Sequence, residues 1–461
     1  MKTPVIVTSA LIVAGLAIAP KFVGNAVENR LEDMVKTLNR SPMLEVSLSD
    51  YNKSWFSSDA VINVTFHGEA TAGAGEDDFT VKLPLSVAHG PVIFDGAPSL
   101  DWVKWHLEVE TGEQLKTLLR WDDSQPLYQF SGSVGLLQKI DFSERLLPFE
   151  IDSEAGVVKF SGYQGQGEGR GVVQYEGGAE SLLIPIEGGS VVAKGLHVNF
   201  ETELDLDKFV DGKLSNMSAN FSLDQLDVGE LFALKKLMVD VSSDYDAKTK
   251  LADATVAYSA AEVTVAEHTA SDLALEIEVK NISDEFNDFY SEQLEQLDDS
   301  ALEAENMQAL LLKSLPLLLK NDPEFNIKKL AVTLPEGSFI GHANLAVKGV
   351  NADNIKLEDN AFWLQHTVFD SSFTADKPLA EKIATEFFTA QQANQQQAPQ
   401  DMAEARQMAQ QQASMTLMML AGQGMLQDLD KTFKIDFSFN KGEVNLNGKA
   451  MPLPPGLIPQ P

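Results

Sequence analysis

The chain has 461 residues, no cysteine, and 35 Lys and Arg residues against 68 Asp and Glu, which gives a formal net charge of −33. The absence of cysteine excludes disulfides, thiolate metal sites and a thiol nucleophile. The acidic balance disfavours binding to nucleic acid and to anionic lipid surfaces, because both are recognised through clusters of Lys and Arg.

The first element is the uncharged apolar run Val5–Ala19. It reaches the roughly 20 residues needed to cross a bilayer only if the residues up to Val23 are counted. Lys2 and the small-residue pattern ending at Ala19 fit a cleaved signal peptide, but Pro20 at the cleavage point disfavours cutting. We expect residues 1–24 to be an uncleaved signal-anchor, with the body crossing the membrane. Cleavage after Ala19, which would release a soluble periplasmic binding protein, is the alternative.

A helix and then a long alternating section follow the apolar run. Residues 25–42 predict an amphipathic juxtamembrane helix. Residues 43–282 then predict a long antiparallel β region, with its clearest alternation between Leu196 and Leu206. The glycine-rich stretch Gly165–Gly171 is interpreted as a turn or bulge between strands. The apolar side of the juxtamembrane helix consists of Val27, Leu31, Met34, Val35 and Leu38.

Helical periodicity returns at residues 283–322, which predict a hairpin-like helical insert that begins with Ser283 as its N-cap. Residues 323–376 predict a second β region. Residues 377–430 predict Gln-rich and Met-rich helices, and residues 431–461 a β-hairpin followed by a Pro-rich tail. The predicted fold class is therefore α+β and β-dominated: an N-terminal transmembrane helix, then long antiparallel sheets with covering amphipathic helices.

No motif for catalysis, metal binding or cofactor binding is found in the sequence. The seven histidines are scattered, and carboxylate pairs such as Glu201 and Glu203 fit the wet face of a sheet. His89, which precedes Gly90-Pro91, is interpreted as the end of a strand, with a ligand or base as the alternative. Trp55 and Phe56 are expected in a core, with an aromatic ligand clamp as the alternative.

The Met-rich helix leaves two hypotheses open, since methionine both fills cores and lines promiscuous apolar surfaces. It either covers a sheet or forms a groove for a lipid or a protein partner.

Several short stretches, taken in order, resemble the YdgA family of bacterial envelope proteins. They are the N-terminal apolar segment, Tyr51-Asn52-Lys53-Ser54-Trp55-Phe56-Ser57-Ser58, His89-Gly90-Pro91, Leu315–Pro323 and Val444–Met451. The resemblance implies an inner-membrane protein of Gram-negative bacteria with a large β-rich periplasmic body. It implies no catalytic residues, because that family has no assigned activity, and it leaves Tyr51, Trp55, Phe56, His89, Gly90 and Pro91 as motif residues of unknown role.

The leading hypothesis is a non-enzymatic envelope interaction or assembly module, held in the inner membrane by its N-terminal helix. One variant gives it an apolar groove for lipid, and its partners are then a lipid or an envelope protein. The rival hypothesis is an envelope hydrolase built from dispersed carboxylates and His89. Exposed sheet edges would also permit homo-oligomers.

Overall fold

The alternating stretches of the sequence form antiparallel β-strands. The computed structural model describes residues 3–39, 44–66, 79–95, 97–109, 116–117, 119–203, 205, 208, 212–295, 304–351, 355–356, 358–394 and 402–452. The chain divides into two units, Met1–Gly229 (unit 1) and Glu230–Pro461 (unit 2). In helix α1, the structure describes the side chains from Ala19 onward.

In the described part of unit 1 there are one long helix and twelve strands. They are α1 (Thr3–Leu38), β1 (Leu44–Lys53), β2 (Ser57–Phe66), β3 (Phe79–His89), β4 (Asp101–Glu108), β5 (Tyr128–Gly135), β6 (Ile140–Leu146), β7 (Phe149–Ser153), β8 (Gly156–Phe160), β9 (Tyr163–Arg170), β10 (Val172–Ile186), β11 (Gly189–Glu203) and β12 (Met217–Val228).

The strands of unit 1 form an antiparallel meander. β1 to β6 pair in sequence order, β9 then pairs with β6, and β10, β11 and β12 follow. The hairpin of β7 and β8 is inserted before β9, and β8 pairs with the distal half of β10. Consecutive turns therefore alternate between the two ends of the sheet.

Helix α1 lies antiparallel to β1 and covers the first strands. Near its C-terminus, the Asn39 side chain donates to the carbonyl oxygen of Val46 and accepts from the Val46 amide. The apolar stripe predicted from the sequence packs on a core of Val46, Ile62, Leu85, Val87 and Leu107. This contact confirms the predicted amphipathic helix, although the helix is continuous from residue 3 and shows no break at the expected anchor boundary.

Unit 2 contains ten strands and, among its described residues, five helices. They are β13 (Phe232–Asp246), β14 (Leu251–Val265), β15 (His268–Ser283), α2 (Asp284–Glu295), α3 (Ala304–Leu319), β16 (Glu324–Leu334), β17 (Gly337–Val347), α4 (Asn360–His366), β18 (Thr367–Asp376), α5 (Lys377–Asn394), α6 (Met402–Gly422), β19 (Gln427–Leu429), β20 (Thr432–Asn440), β21 (Glu443–Leu446) and β22 (Lys449–Met451).

The strands of unit 2 also pair antiparallel with their neighbours in sequence. β13 to β18 form a meander, β20 pairs with β18, and β21 and β22 continue beyond it. Helices α2 and α3 lie between β15 and β16, where Ser283 accepts from the Phe286 amide as the expected N-cap. Helix α5 packs on the sheet and α6 packs on α5.

One sequence interpretation is wrong for most of its residues. Residues 165–170 of the glycine-rich stretch lie inside strand β9, and only Gly171 forms the turn to β10, whereas Gly177 and Gly178 lie inside β10. A Cβ at Gly165 would overlap the Tyr175 ring, and one at Gly167 would overlap Phe142. Glycine is therefore needed because large rings from neighbouring strands lie flat over this backbone.

Several further expectations fall partly or wholly outside the described residues. The Gln-rich stretch begins inside helix α5, which continues to Asn394. The end of the first helix at Ser41-Pro42, the capping box at Ser300 and the Pro-rich tail after residue 452 lie in segments that the structure does not describe.

Candidate functional site

The motif residues at 51–58 and 89–91 come together where helix α1 meets the sheet of unit 1. Strand β1 carries Tyr51 and Lys53, Ser58 lies in β2, and His89 ends β3 as predicted. Gly90 and Pro91, joined by a cis peptide bond, follow directly. We call this cluster, together with Pro20–Glu28 of α1, the helix clamp.

His89 forms the buried centre of the helix clamp. Its side chain is 1% exposed, as is that of Ser58, and its Nε2 lies 3.0 Å from the Ser58 Oγ. The Tyr51 hydroxyl donates to the same Oγ at 3.3 Å. On its other side the ring faces Gly24 of α1, where a Cβ would lie 2.6 Å from the His89 Cε1. Only glycine allows the helix backbone to approach this ring so closely.

The protonation state of His89 follows from these surroundings. Its Nδ1 is buried and has no partner within hydrogen-bonding geometry among the described residues. Burial lowers the pKa of His89, the nearby Lys53 charge adds to that effect, and the backbone of Trp55 opposes it. Burial is the largest of these effects and disfavours the charged form, so the neutral ring is favoured.

Polar contacts close the helix clamp at its rim. The Lys53 ammonium forms an ion pair with Glu28 of α1 and donates to the Asn25 Oδ1 at 2.9 Å. The Glu28 carboxylate raises the pKa of Lys53. Lys21 of α1 lies with its Nζ 5.4 Å from the centroid of the Trp55 ring, within the range of a cation–π contact.

The expectation that Trp55 and Phe56 lie in a core is wrong. They are 47% and 59% exposed. Both residues belong to the turn between β1 and β2, beyond the last strand pair, so neither face of the sheet can cover them. This turn could not be predicted from the two aromatic residues, because such residues are enriched in strands.

The arrangement of Ser58 and His89 has the distance of a nucleophile and its base. It lacks the other parts of such a site. Both side chains are closed to solvent, and the described residues place no carboxylate on the His89 Nδ1. Among the residues that the structure describes, no group of three His, Asp or Glu could hold a metal ion.

A second surface that the sequence did not reveal is an aromatic ladder on the apolar face of unit 1. Neighbouring ring centroids lie between 4.7 and 6.1 Å apart, the range of favourable ring pairs. Most of its rings are only half-buried. The ladder consists of Trp105, Phe130, Phe142, Tyr175 and Phe200.

One carboxylate interrupts this apolar face. Glu144 accepts hydrogen bonds from the Tyr128 hydroxyl at 2.8 Å and from the Tyr175 hydroxyl. Tyr163 lies 2.5 Å from the Tyr175 hydroxyl. Burial and the Glu144 charge raise the pKa of both Tyr128 and Tyr175. The opposite face of the same strands holds a polar depression of about 620 Å³, lined by amide, hydroxyl, imidazole, carboxylate and guanidinium groups.

The other motif stretches also act at helix and loop contacts. Leu319, from the stretch at 315–323, is 1% exposed and packs α3 on Val347 and Phe362. Asn447, from the last stretch, accepts from the Asp436 amide and donates to the carbonyl oxygens of Gly424 and Met425. These motifs therefore fix α3 and the loop after α6 to their sheet.

The fold and the helix clamp define a class of protein: an antiparallel β-sheet body with an N-terminal helix locked onto its first strands. The chain belongs to a bacterial protein family of unknown function (DUF945), whose model matches residues 1–454. No curated protein and no solved structure matches the chain. Across the residues described with their side chains, no helix is both long and apolar enough to span a membrane.

Proposed function

We propose that the protein is a non-enzymatic module of the bacterial envelope, tethered to the inner membrane by residues 1–24, with its β-rich body in the periplasm. The observation that carries the proposal is the helix clamp. It holds α1 from Pro20 onward, directly after the apolar run Val5–Ala19. A clamp at this position transmits the orientation of a membrane helix to the whole first sheet. The resemblance to the YdgA family supports the same location.

The burial of Pro20 supports an uncleaved tether. Its side chain is less than 2% exposed, and it lies inside the continuous helix α1. Cleavage after Ala19 would place a charged amino terminus on this buried residue. An unpaired buried charge is costly, and the cut would also remove the helical turn that precedes the clamp.

The aromatic ladder supports the variant with an apolar groove for lipid. Trp105, Phe130, Phe142 and Phe200 present half-buried rings in a row across the sheet. Trp105 and Phe130 also pack on the core under α1, so the half-buried rings beyond that core are Phe142 and Phe200. The Tyr128–Glu144–Tyr175 group gives this face one polar point that could orient a ligand.

Three measurements test the proposal. Protease added to spheroplasts should degrade the body, and N-terminal sequencing of the membrane-bound chain should find residues before Ala19. Protection from the protease, or a mature chain that begins at Pro20, would contradict the tether. Mass spectrometry of an organic extract of purified protein should find a stoichiometric lipid, and its absence would remove the groove variant alone.

The hydrolase remains the second candidate because Ser58 and His89 lie at activating distance. Incubation of the full chain with a fluorophosphonate probe separates the two proposals. We expect no covalent adduct, since both side chains are closed to solvent. An adduct that maps to Ser58 and disappears in Ser58→Ala would establish a hydrolase.

A further inference from the structure

Large apolar side chains are exposed at one end of the unit 1 sheet. This end, which we call the clamp end, holds the turns β1–β2, β3–β4, β5–β6 and β9–β10 and the segment before β12, because the strands alternate in direction. The exposed apolar side chains at this end are Phe22, Trp55, Phe56, Phe94, Leu100, Trp102, Leu136, Leu137, Val172 and Met217.

The distribution along the sheet is one-sided. Among the described residues of unit 1, the exposed large apolar side chains away from the clamp end are Ile186 and Phe221. The most exposed ones, Phe94 at 77% and Leu137 at 75%, lie at the tips of turns. Turn tips usually carry polar residues, so apolar tips concentrated at one end indicate a surface that is covered in the working protein.

These turns are held together as one surface. The Trp102 indole donates to the carbonyl oxygen of Leu136, which joins the turns β3–β4 and β5–β6. The Gly90 amide donates to the Trp102 carbonyl oxygen, which joins that turn to His89 and the helix clamp. The apolar tips therefore keep a fixed position relative to α1.

The direction of α1 identifies the occupant of this surface. The helix runs antiparallel to β1, with Asn39 at the far end of the sheet and Lys21 beside Trp55 at the clamp end. The residues before Pro20 therefore extend past the clamp end, and they carry the apolar run Val5–Ala19. Trp and Phe next to Lys, directly beyond an apolar helix, are the residues that sit in the interface of a bilayer.

We propose that the clamp end is seated in the outer interface of the membrane that holds the N-terminal helix, with Phe94, Leu100 and Leu137 inserted among lipid headgroups. This inference rests on the proposed tether, and it adds that the turns at the clamp end of the sheet contact the membrane. The occupant is the bilayer itself. Because the chain carries a net charge of −33, insertion of apolar side chains, and not attraction between charges, holds the clamp end in the membrane.

The natural absence of cysteine provides the test, since any single Cys variant carries one label. The full chain is reconstituted in phosphatidylcholine vesicles with a nitroxide label at Leu137→Cys, at Phe94→Cys, at Ile186→Cys as the matched exposed control, or at Val13→Cys in the apolar run. Collision with oxygen reports lipid contact, and collision with a water-soluble nickel chelate reports water contact.

We expect labels at positions 94 and 137 to favour oxygen collisions, and the label at position 186 to favour the chelate. If position 13 is lipid-embedded while positions 94 and 137 match position 186, the seating is overturned and the tether stands. If position 13 also favours the chelate, the tether itself fails. Immobilised labels at 94 and 137 in native membranes, but water-exposed ones in pure lipid, would identify a protein partner and overturn the proposal.

Discussion

At Gly24 the backbone of α1 lies against the His89 ring. In an open helix, changing glycine to alanine stabilises by about 1 kcal/mol. Here the added Cβ would lie 2.6 Å from the buried His89 ring, and overpacking of this kind costs about 1–3 kcal/mol. We predict that Gly24→Ala lowers the free energy of unfolding, as measured by denaturant titration.

A matched control is available at Gly422, at the end of α6, where a Cβ would meet nothing within 4 Å. Gly422→Ala should be neutral or slightly stabilising. A stabilised Gly24→Ala variant would show that α1 does not rest on His89.

His89 also gives a prediction about pH. Its folded-state pKa is lowered by burial, so the unfolded chain binds more protons than the folded one once the pH falls below the unfolded pKa of about 6.5. The stability contributed by the neutral ring is therefore complete above that pH and is lost as the pH falls toward the folded pKa. His89→Gln has no such group, although the acidic side chains titrate in both proteins.

The measurement is the denaturant midpoint of both proteins at about pH 7.5 and about pH 5.5. We expect the wild type to lose more stability than His89→Gln over this interval. Equal losses would mean that the pKa of His89 is the same in the folded and the unfolded protein. The groups that neighbour His89, the Ser58 hydroxyl and the Lys53 ammonium, are unchanged in the variant.

The sequence singles out residues 51–58 and 89–91 as motif residues, but it does not show what these residues do. Lys53 and Glu28 are 25 positions apart, and His89 is in contact with Gly24. Periodicity reports which face of an element is buried, and it does not say which element covers that face. The helix clamp could therefore be recognised only once the packing of α1 was known.

At the level of elements, the glycines of strand β9 leave room for aromatic rings that come from the neighbouring strands. Phe142 in β6 lies over Gly167, and the Tyr175 ring in β10 lies over Gly165. We predict that Gly167→Ala destabilises the protein, although alanine elsewhere in a strand would stabilise by about 0.5–1 kcal/mol. The free energy of unfolding should recover in part when Phe142→Leu is added, because the smaller side chain leaves room for the new methyl group.

The two variants and their combination form a double-mutant cycle, measured by denaturant titration. The coupling energy should be favourable and about 0.5–3 kcal/mol, as for residues in direct contact. Additive effects would contradict the overlap of this ring with the glycine backbone.

The same strand explains where prediction of elements from the sequence failed. Strands with their own alternation, such as β11 and β12, were predicted because each supplies both a wet and an apolar face. Strand β9 has glycine at every inward position except Tyr163, so its apolar face comes from its neighbours. Such a strand carries no periodic signal of its own.

At the level of the whole molecule, charge and apolar surface point to different kinds of binding. The net charge of −33 opposes attraction to anionic headgroups, whereas the N-terminal run and the clamp end are apolar. Surface charge pairs are screened over about 10 Å at 0.1 M salt, but burial of apolar groups is not weakened by salt.

We therefore predict that the full chain stays with bacterial membranes through washes in concentrated sodium chloride and in alkaline carbonate, and leaves them only in detergent. Purified protein should also insert into phosphatidylcholine vesicles at least as well as into vesicles containing phosphatidylglycerol, as measured by flotation in a density gradient. A variant shortened to begin at Lys21 is the informative comparison, because it keeps the acidic body and loses the apolar run. Release of the full chain by salt alone would show that its membrane contact is electrostatic, which neither the acidic surface nor the exposed Phe94 and Leu137 can explain.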